Sequence, residues 1–263
     1  MSYISPITYY GGKKSLLPHL LPLVPPHDIY TECFAGGLAL FFALPKAKNS
    51  VINDNNAHVT NFYEVLKSDF HRLKAKIDAT PYSRVSYKVA MSMYQSPHLF
   101  DKLQRAWSFY VLTNMGFSGR IGSFGCYSKG SKAYTWEKKK QLLAPELAEH
   151  FSHTQIECTD ALNILELRNE KTAFHLVDPP YYNSNMGHYG GYTKEDFRKL
   201  LETLTKIKGK FLLTSYPSEL LSHFTEKHGW YTQTIKKKVS ASRSSNQKEK
   251  IEVITTNYRV EEQ

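Results

Sequence analysis

Short apolar runs bounded by polar turns alternate along this chain with segments whose apolar residues recur every three or four positions. That alternation predicts strands interleaved with helices, an α/β protein built around a mainly parallel sheet. Ser15 to Leu21 predicts a short helix, with Pro18 in its first turn and Pro22, Pro25 and Pro26 ending it. Ile29-Tyr30-Thr31-Glu32 reads as a strand, followed by a glycine turn at Cys33 to Gly37 and a helical run from Leu38 to Leu44. Ser50 to Asp54 is a second strand, ending in an acid. Val59, Phe62, Leu66, Phe70 and Leu73 carry a helical stripe, and 80–112 continues it with Leu103, Trp107 and Tyr110. Those aromatics are expected in the core. Gln155 to Asp160 reads as a short strand and turn leading into a helix through Leu167. Ala173 to Val177 and Phe211 to Ser215 read as buried strands. Thr193 with Asp196 predicts a capping box between them. Tyr231 to Val239 and Ile251 to Thr256 pair as an antiparallel hairpin, joined by a polar, basic connection expected to be mobile or to touch phosphate.

Candidate chemistry collects where strands end. Asp178-Pro179-Pro180-Tyr181 follows the strand Ala173 to Val177, and ligands of open α/β sheets bind at the carboxyl ends of strands. The prolines hold φ and donate no hydrogen bond, so the turn offers carbonyls without competing donors. Glu32-Cys33-Phe34-Ala35-Gly36-Gly37 has the strand–glycine order that presents backbone amides to a nucleotide-like ligand. It is not GxGxxG, and no GK[ST] is present to cradle a triphosphate. Asp54 lies 22 positions after Glu32, near the separation at which a carboxylate binds ribose hydroxyls; it or Asn55 could equally cap the next helix. Tyr9-Tyr10-Gly11-Gly12-Lys13 sets two glycines between aromatic and basic residues. The loop 183–192, with Gly187, Gly190 and Gly191, could close as a lid.

Charge sharpens the choice of partner. With 34 basic against 24 acidic residues the net charge is +10, which favours a polyanion such as nucleic acid. From Asn114 to Lys140 the chain turns rich in Gly, Ser and Lys. Arg120, Lys129, Lys132, Lys138, Lys139 and Lys140 alternate there with Phe124, Tyr127, Tyr134 and Trp136, a composition suited to a nucleic-acid face. Cys33, Cys126 and Cys158 include no CxxC pair, so neither a disulfide framework nor a zinc site is expected. No leader pattern opens the chain and the longest apolar run, Leu38 to Leu44, is too short to span a bilayer; no membrane partner and a cytoplasmic setting are expected.

Taken together, these features resemble the Dam-type (D12 class) N6-adenine DNA methyltransferases over nearly the whole chain. Tyr9 to Lys13 is similar to that family's aromatic-x-Gly-Gly-Lys motif, and Glu32 to Gly37 to its S-adenosylmethionine (SAM) loop, with Cys33 where Pro is usual. Asn53-Asp54 matches the ribose-binding acid, and Asp178 to Tyr181 the catalytic turn at all four positions. Gly116-Phe117-Ser118-Gly119 resembles part of its target-recognition region.

The resemblance implies a class I SAM-dependent methyltransferase fold, Rossmann-like, with a mainly parallel seven-stranded sheet and a C-terminal antiparallel hairpin. Residues 1–60 and 151–263 would form the catalytic domain and 61–150 a mainly helical inserted target-recognition module. SAM is the implied cofactor, with Tyr9, Lys13, Phe34, Ala35, Gly36, Asp54, Asp160 and Asp178 near it. Asp178, Pro179, Pro180 and Tyr181 would be catalytic, and no metal is called for. Asn114, Phe117, Ser118, Arg120, Lys129, Lys132, Lys138 and Lys139 would face double-stranded DNA. The resemblance allows a pairing with a restriction endonuclease and a prokaryotic or phage-encoded, nucleoid-associated enzyme.

The chemistry asks for these parts. The adenine N6 lone pair is delocalised into the ring, so its amine needs hydrogen-bond acceptors that favour a tetrahedral nitrogen, which is positioning and electrostatics. N4-cytosine methylation needs a similar turn, but its usual family variant begins with Ser. An RNA or protein-amide methylase would carry Asn-Pro-Pro. A catalytically silent DNA-binding scaffold would be expected to have lost Asp178, Tyr181 or Asp54. A nicotinamide dehydrogenase lacks its GxGxxG here and leaves the Asp-Pro-Pro-Tyr turn without a purpose.

Overall fold

A computed structural model describes residues 5–126, 132–183, 191–238 and 249–260. The chain opens with helix α1 (Leu17–Leu20), flanked by 3₁₀ turns, and strand β1 (Ile29–Glu32). Strand β2 (Asn49–Asn53) is followed by helices α2 (Ala57–Ser68), α3 (Phe70–Asp78), α4 (Arg84–Gln95), α5 (Lys102–Met115), α6 (Ala133–Leu142) and α7 (Pro145–Glu149). Then come β3 (Thr154–Glu157), α8 (Ala161–Leu167), β4 (Ala173–Val177), α9 (Lys194–Leu204) and β5 (Lys210–Ser215). Helix α10 (Glu219–His228) and the strands β6 (Tyr231–Lys238) and β7 (Glu249–Thr256) complete the seven strands found among the described residues.

Two compact units divide the chain. The first comprises Met1–Pro22 and Ala35–Thr159, the second Leu23–Phe34 and Asp160–Gln263. In the second unit β4 lies between β1 and β5, parallel to both, and all five of its residues are buried. A strand covered on both faces needs a continuous apolar run, which Ala173-Phe174-His175-Leu176-Val177 supplies apart from His175. The hairpin of β6 and β7 joins β5 antiparallel, as its β-branched composition predicts. The capping box at Thr193 and Asp196 forms and starts α9. Helix α10 stops at Gly229, whose φ of 65° suits a residue without a Cβ.

In the first unit β2 and β3 pair in parallel, and α2 and α4 pack on α5. Helix α5 is buried continuously from Ala106 to Thr113, the mark of a helix enclosed by others. Its start is held by a reciprocal capping box between Asp101 and Gln104. The predicted helix from Val59 breaks in two at Asp69, whose φ of −141° is not helical. Trp107 is core as expected, donating its indole N–H to the Thr80 hydroxyl at 2.8 Å.

One expectation fails. The run Leu38 to Leu44 forms only a 3₁₀ turn, Phe41–Ala43. Leu38 takes a left-handed φ of 51°, and Leu44 is extended before Pro45, so a helix can neither start nor continue. No helix among the described residues is long and apolar enough to cross a membrane.

Candidate active site and nucleic-acid face

In the first unit, four expected cofactor residues, Tyr9, Ala35, Gly36 and Asp54, converge around a strand end. The carboxylate of Asp54, just past β2, accepts the amide protons of Gly36 and Asn56, each at 2.9 Å. The Gly36 amide is thereby used to hold the acid rather than left at a helix start, which corrects the expectation of helix-start amides facing a ligand. Asp54 does not cap α2 either; Asn56 does, accepting the His58 amide at 3.0 Å. Burial pushes the Asp54 carboxyl above its usual range, opposed by those two amides. A carboxylate has about four acceptor sites, so this one has capacity for two more donors. Vicinal hydroxyls would supply them and offset the burial, so the donor set fits a ribose.

The ring of Tyr9 lies on Gly36, where a Cβ would stand 3.0 Å from its Cδ1; with φ at 45°, this site asks for glycine. Burial, then Asp54, raises the Tyr9 phenol far above the ordinary value. Ala35 is stitched to β2 through its amide and the Asn53 carbonyl at 2.8 Å. Tyr63, which no local motif singles out, donates its hydroxyl to the Gly36 carbonyl at 2.8 Å. Lys13 sits in the first 3₁₀ turn with its ammonium on the Gly11 carbonyl at 2.8 Å.

In the second unit, Asp178 and Tyr181 stand directly after β4, half-buried, with Pro179 buried between them. The Thr214 hydroxyl, from β5, donates to Asp178 Oδ1 at 2.5 Å, and the Tyr181 hydroxyl lies 3.4 Å from the same oxygen. Tyr181 packs edge-on against Tyr216, with ring centroids 4.5 Å apart. Burial and then the Asp178 charge hold its phenol well above the ordinary value. Phe34 meets Tyr192 edge-on at 6.5 Å, and burial, then Asp196 and Asp160, raises the Tyr192 phenol well above its ordinary value. The Tyr192 hydroxyl is buried without a partner among the described residues and lies beside the Phe34 ring, which suits an aromatic ligand bearing polar edges. Asp160 is exposed and caps α8, accepting the Leu162 amide at 2.8 Å. Thr214 and Tyr192 carry no local signal in the sequence. Cys33, where the family has Pro, is buried and its thiol is pushed up to about 12, so it is inert filling.

The expected nucleic-acid residues divide by environment, all within the first unit. Asn114 belongs to the last turn of α5 and is tied to the N-terminal segment, accepting the Thr8 hydroxyl and donating to the Pro6 carbonyl. Phe117 is 43% exposed, and Ser118 beside it has a left-handed φ of 53°. Arg120 lays its guanidinium over the Tyr10 ring at 5.1 Å. A cavity of about 150 Å³ is lined by Thr8, Asn114, Ser118, Lys132, Thr135 and Lys139. Burial, then Lys14, holds the Lys139 ammonium below the ordinary lysine range. Lys138 covers the exposed Tyr134 ring at 4.5 Å. Trp136 corrects the expected aromatic interleaving: it is 1% exposed and donates to the Thr80 carbonyl at 2.8 Å. Lys140 is likewise buried, bound to the Asp78 carbonyl and Glu137. Lys129, Tyr127, the glycines of the expected lid at 187 and 190, and the basic connection 240–248 lie outside the described residues.

Parallel strands interleaved with helices, with Asp54 and an Asp-Pro-Pro-Tyr turn following strand ends, make up a class I SAM-dependent methyltransferase fold. The family model of D12 class N6 adenine-specific DNA methyltransferases matches residues 9–251. A type II methyltransferase of Lactococcus lactis subsp. cremoris is 26% identical over 269 residues, 94% of this chain and 93% of its own. A DNA N-6-adenine-methyltransferase of Escherichia phage P1 is 26% identical over 198 residues, 72% of this chain but 25% of its own length. Among solved structures, a SAM-dependent methyltransferase from Agrobacterium tumefaciens aligns at TM-score 0.39 and 11% identity, over 92% of this chain and 59% of its own.

The chain belongs to the D12 class N6-adenine-specific DNA methyltransferase family. It is a SAM-dependent enzyme that methylates adenine in DNA, which sets aside the cytosine and dehydrogenase alternatives.

Proposed function

We propose that the enzyme methylates N6 of an adenine flipped out of double-stranded DNA at a specific sequence, using Asp178, Pro179 and Tyr181 on the base. The observation that supports this most is the Asp178 carboxylate, anchored by Thr214 at the end of a fully buried strand. Bound SAM would supply an electrophilic methyl group on its sulfonium. Everything else falls to the chain. The Asp178 carboxylate and the Pro179 carbonyl accept hydrogen bonds from the two N6–H groups and turn the amine's lone pair out of the ring. Tyr181 stacks on the base, because an adenine inside the duplex stack cannot be reached. The displaced proton leaves to water. Asp54 holds the ribose hydroxyls, and Phe34, Ala35, Gly36, Tyr9, Lys13 and Asp160 line the rest of the cofactor.

Residues 61–150, mainly helical where described, act as the target-recognition module of a catalytic domain made from 1–60 and 151–263. Phe117, Ser118 and Arg120 are its candidates for reading bases, while Asn114, Lys129, Lys132, Lys138 and Lys139 position the backbone. The type II relative supports a partnership with a restriction endonuclease in a prokaryotic or phage setting. The test is incubation with unmethylated genomic DNA and methyl-labelled SAM, then nucleoside mass spectrometry. Labelled N6-methyladenine at a sequence-defined set of sites is expected. Labelled N4-methylcytosine, or N6-methyladenine scattered without sequence preference, would count against the reading.

A further inference from the structure

We infer that Thr214 is a positioning residue for Asp178, an inference that rests on reading Asp178 as the acceptor of the adenine amine. Strands β4 and β5 run parallel in the register His175 to Phe211 and Val177 to Leu213. One step further sets Asp178 opposite Thr214. Residues in register on neighbouring strands point to the same face, so hydroxyl and carboxylate meet without help from the turn. The resulting hydrogen bond is 2.5 Å long, and Thr214 is completely buried. A buried, β-branched strand residue keeps one rotamer, so the donor is in place before substrate arrives. Tyr181 joins the same group: its hydroxyl bonds that of Thr214 and lies 3.4 Å from Asp178 Oδ1.

Three residues therefore set the rotation of the carboxylate and the lie of the phenol ring together. That matters because transfer at N6 needs the lone pair aimed in line with the methyl, and a misaimed acceptor leaves it conjugated with the ring. The side-chain torsion of a carboxylate is soft, so an unanchored Asp178 would accept the amine in many unproductive orientations. Thr214 removes that freedom without touching the substrate.

Two substitutions separate this role from packing. Thr214→Val keeps the shape and deletes the donor; Thr214→Ser keeps the donor and deletes a methyl. Single-turnover methyl transfer should fall about 10- to 100-fold in Thr214→Val, the loss expected for one hydrogen bond to a charged group. SAM and DNA affinities should stay within about threefold, since the contact acts on orientation rather than binding. Thr214→Ser should recover most of the rate. The reverse order, with Ser impaired and Val active, makes Thr214 a packing residue and overturns the inference. So does a rate loss that only tracks the fraction of protein unfolded in a thermal melt. Asp178→Ala in the same assay keeps the two ideas apart. An active Asp178→Ala removes the acceptor reading itself, whereas an inactive one beside a wild-type-like Thr214→Val removes only the role of Thr214.

Discussion

The glycine loop from Ala35 to Leu38 and the turn from Asp178 to Tyr181 both follow parallel strands, yet they are held by different forces. The loop is held by its backbone. Gly36 and Leu38 take positive φ values, the Gly36 amide and carbonyl are bound by Asp54 and Tyr63, and a Cβ on Gly36 would crowd the Tyr9 ring. Leu38 costs about 1–2 kcal/mol in that conformation. Its side chain is only 1% exposed, and burying a leucine contributes about 1.5–3 kcal/mol, so burial wins. The turn, by contrast, is held by side chains: Thr214 on Asp178, and Tyr216 against Tyr181. Changes in the loop should therefore reach folding and binding together, and changes in the turn should reach chemistry alone.

The sharpest way to break that contrast is Asp178→Ala. Methyl transfer should fall by at least about 10²- to 10³-fold, with SAM affinity from calorimetry and the thermal midpoint nearly unchanged. A variant that lost its fold along with its activity would make the turn as structural as the loop.

The strand beneath the turn has its own weakness. His175 is 0% exposed, with Nδ1 on the Thr31 hydroxyl at 2.7 Å and Nε2 without a partner among the described residues. Burial holds it down to about 4, against 6.5 ordinarily. The unfolded chain thus takes up the proton first, so stability is complete above pH 6.5 and falls as the pH drops from 6.5 towards 4. The loss should approach about 3 kcal/mol at the lower end. Denaturant melts of wild type and His175→Gln at pH 7 and 4.5 measure it. Parallel losses in both proteins would assign the acid sensitivity elsewhere.

In the loop, Gly36→Val should cost about 1–3 kcal/mol of stability through the positive φ, with SAM affinity weakened in step. Thermal melts and SAM titration should move together, and a variant that folds normally but fails to bind SAM would recast the loop as purely functional. The smallest effect is expected at the cavity on the first unit. Lys132→Ala and Lys139→Ala should each weaken DNA binding and reduce the slope of log K against log salt by up to about 0.9. An unaltered slope would leave these lysines as solvated surface.

Much of this was legible from local pattern. The hydrophobic runs marked β1, β2, β4, β5 and the hairpin, because a buried strand must be apolar and a turn must not. They also set Asp54 and Asp178 at strand ends, where ligands meet open sheets. What local pattern could not carry was any contact whose partner lies far along the chain. Leu38 to Leu44 has a helical composition, but the backbone follows Asp54 and Tyr63, 18 and 27 residues beyond Gly36. Trp136 stands among lysines in the sequence and is nevertheless drawn inward by the Thr80 carbonyl, 56 residues away. Thr214 reaches Asp178 across 36 residues only because two parallel strands settle into one register. Local pattern alone was enough to say which residues could do this chemistry and at which strand ends they stand. Which atoms hold them in place was decided by the tertiary structure, since register and burial belong to pairs of segments and to neither one alone.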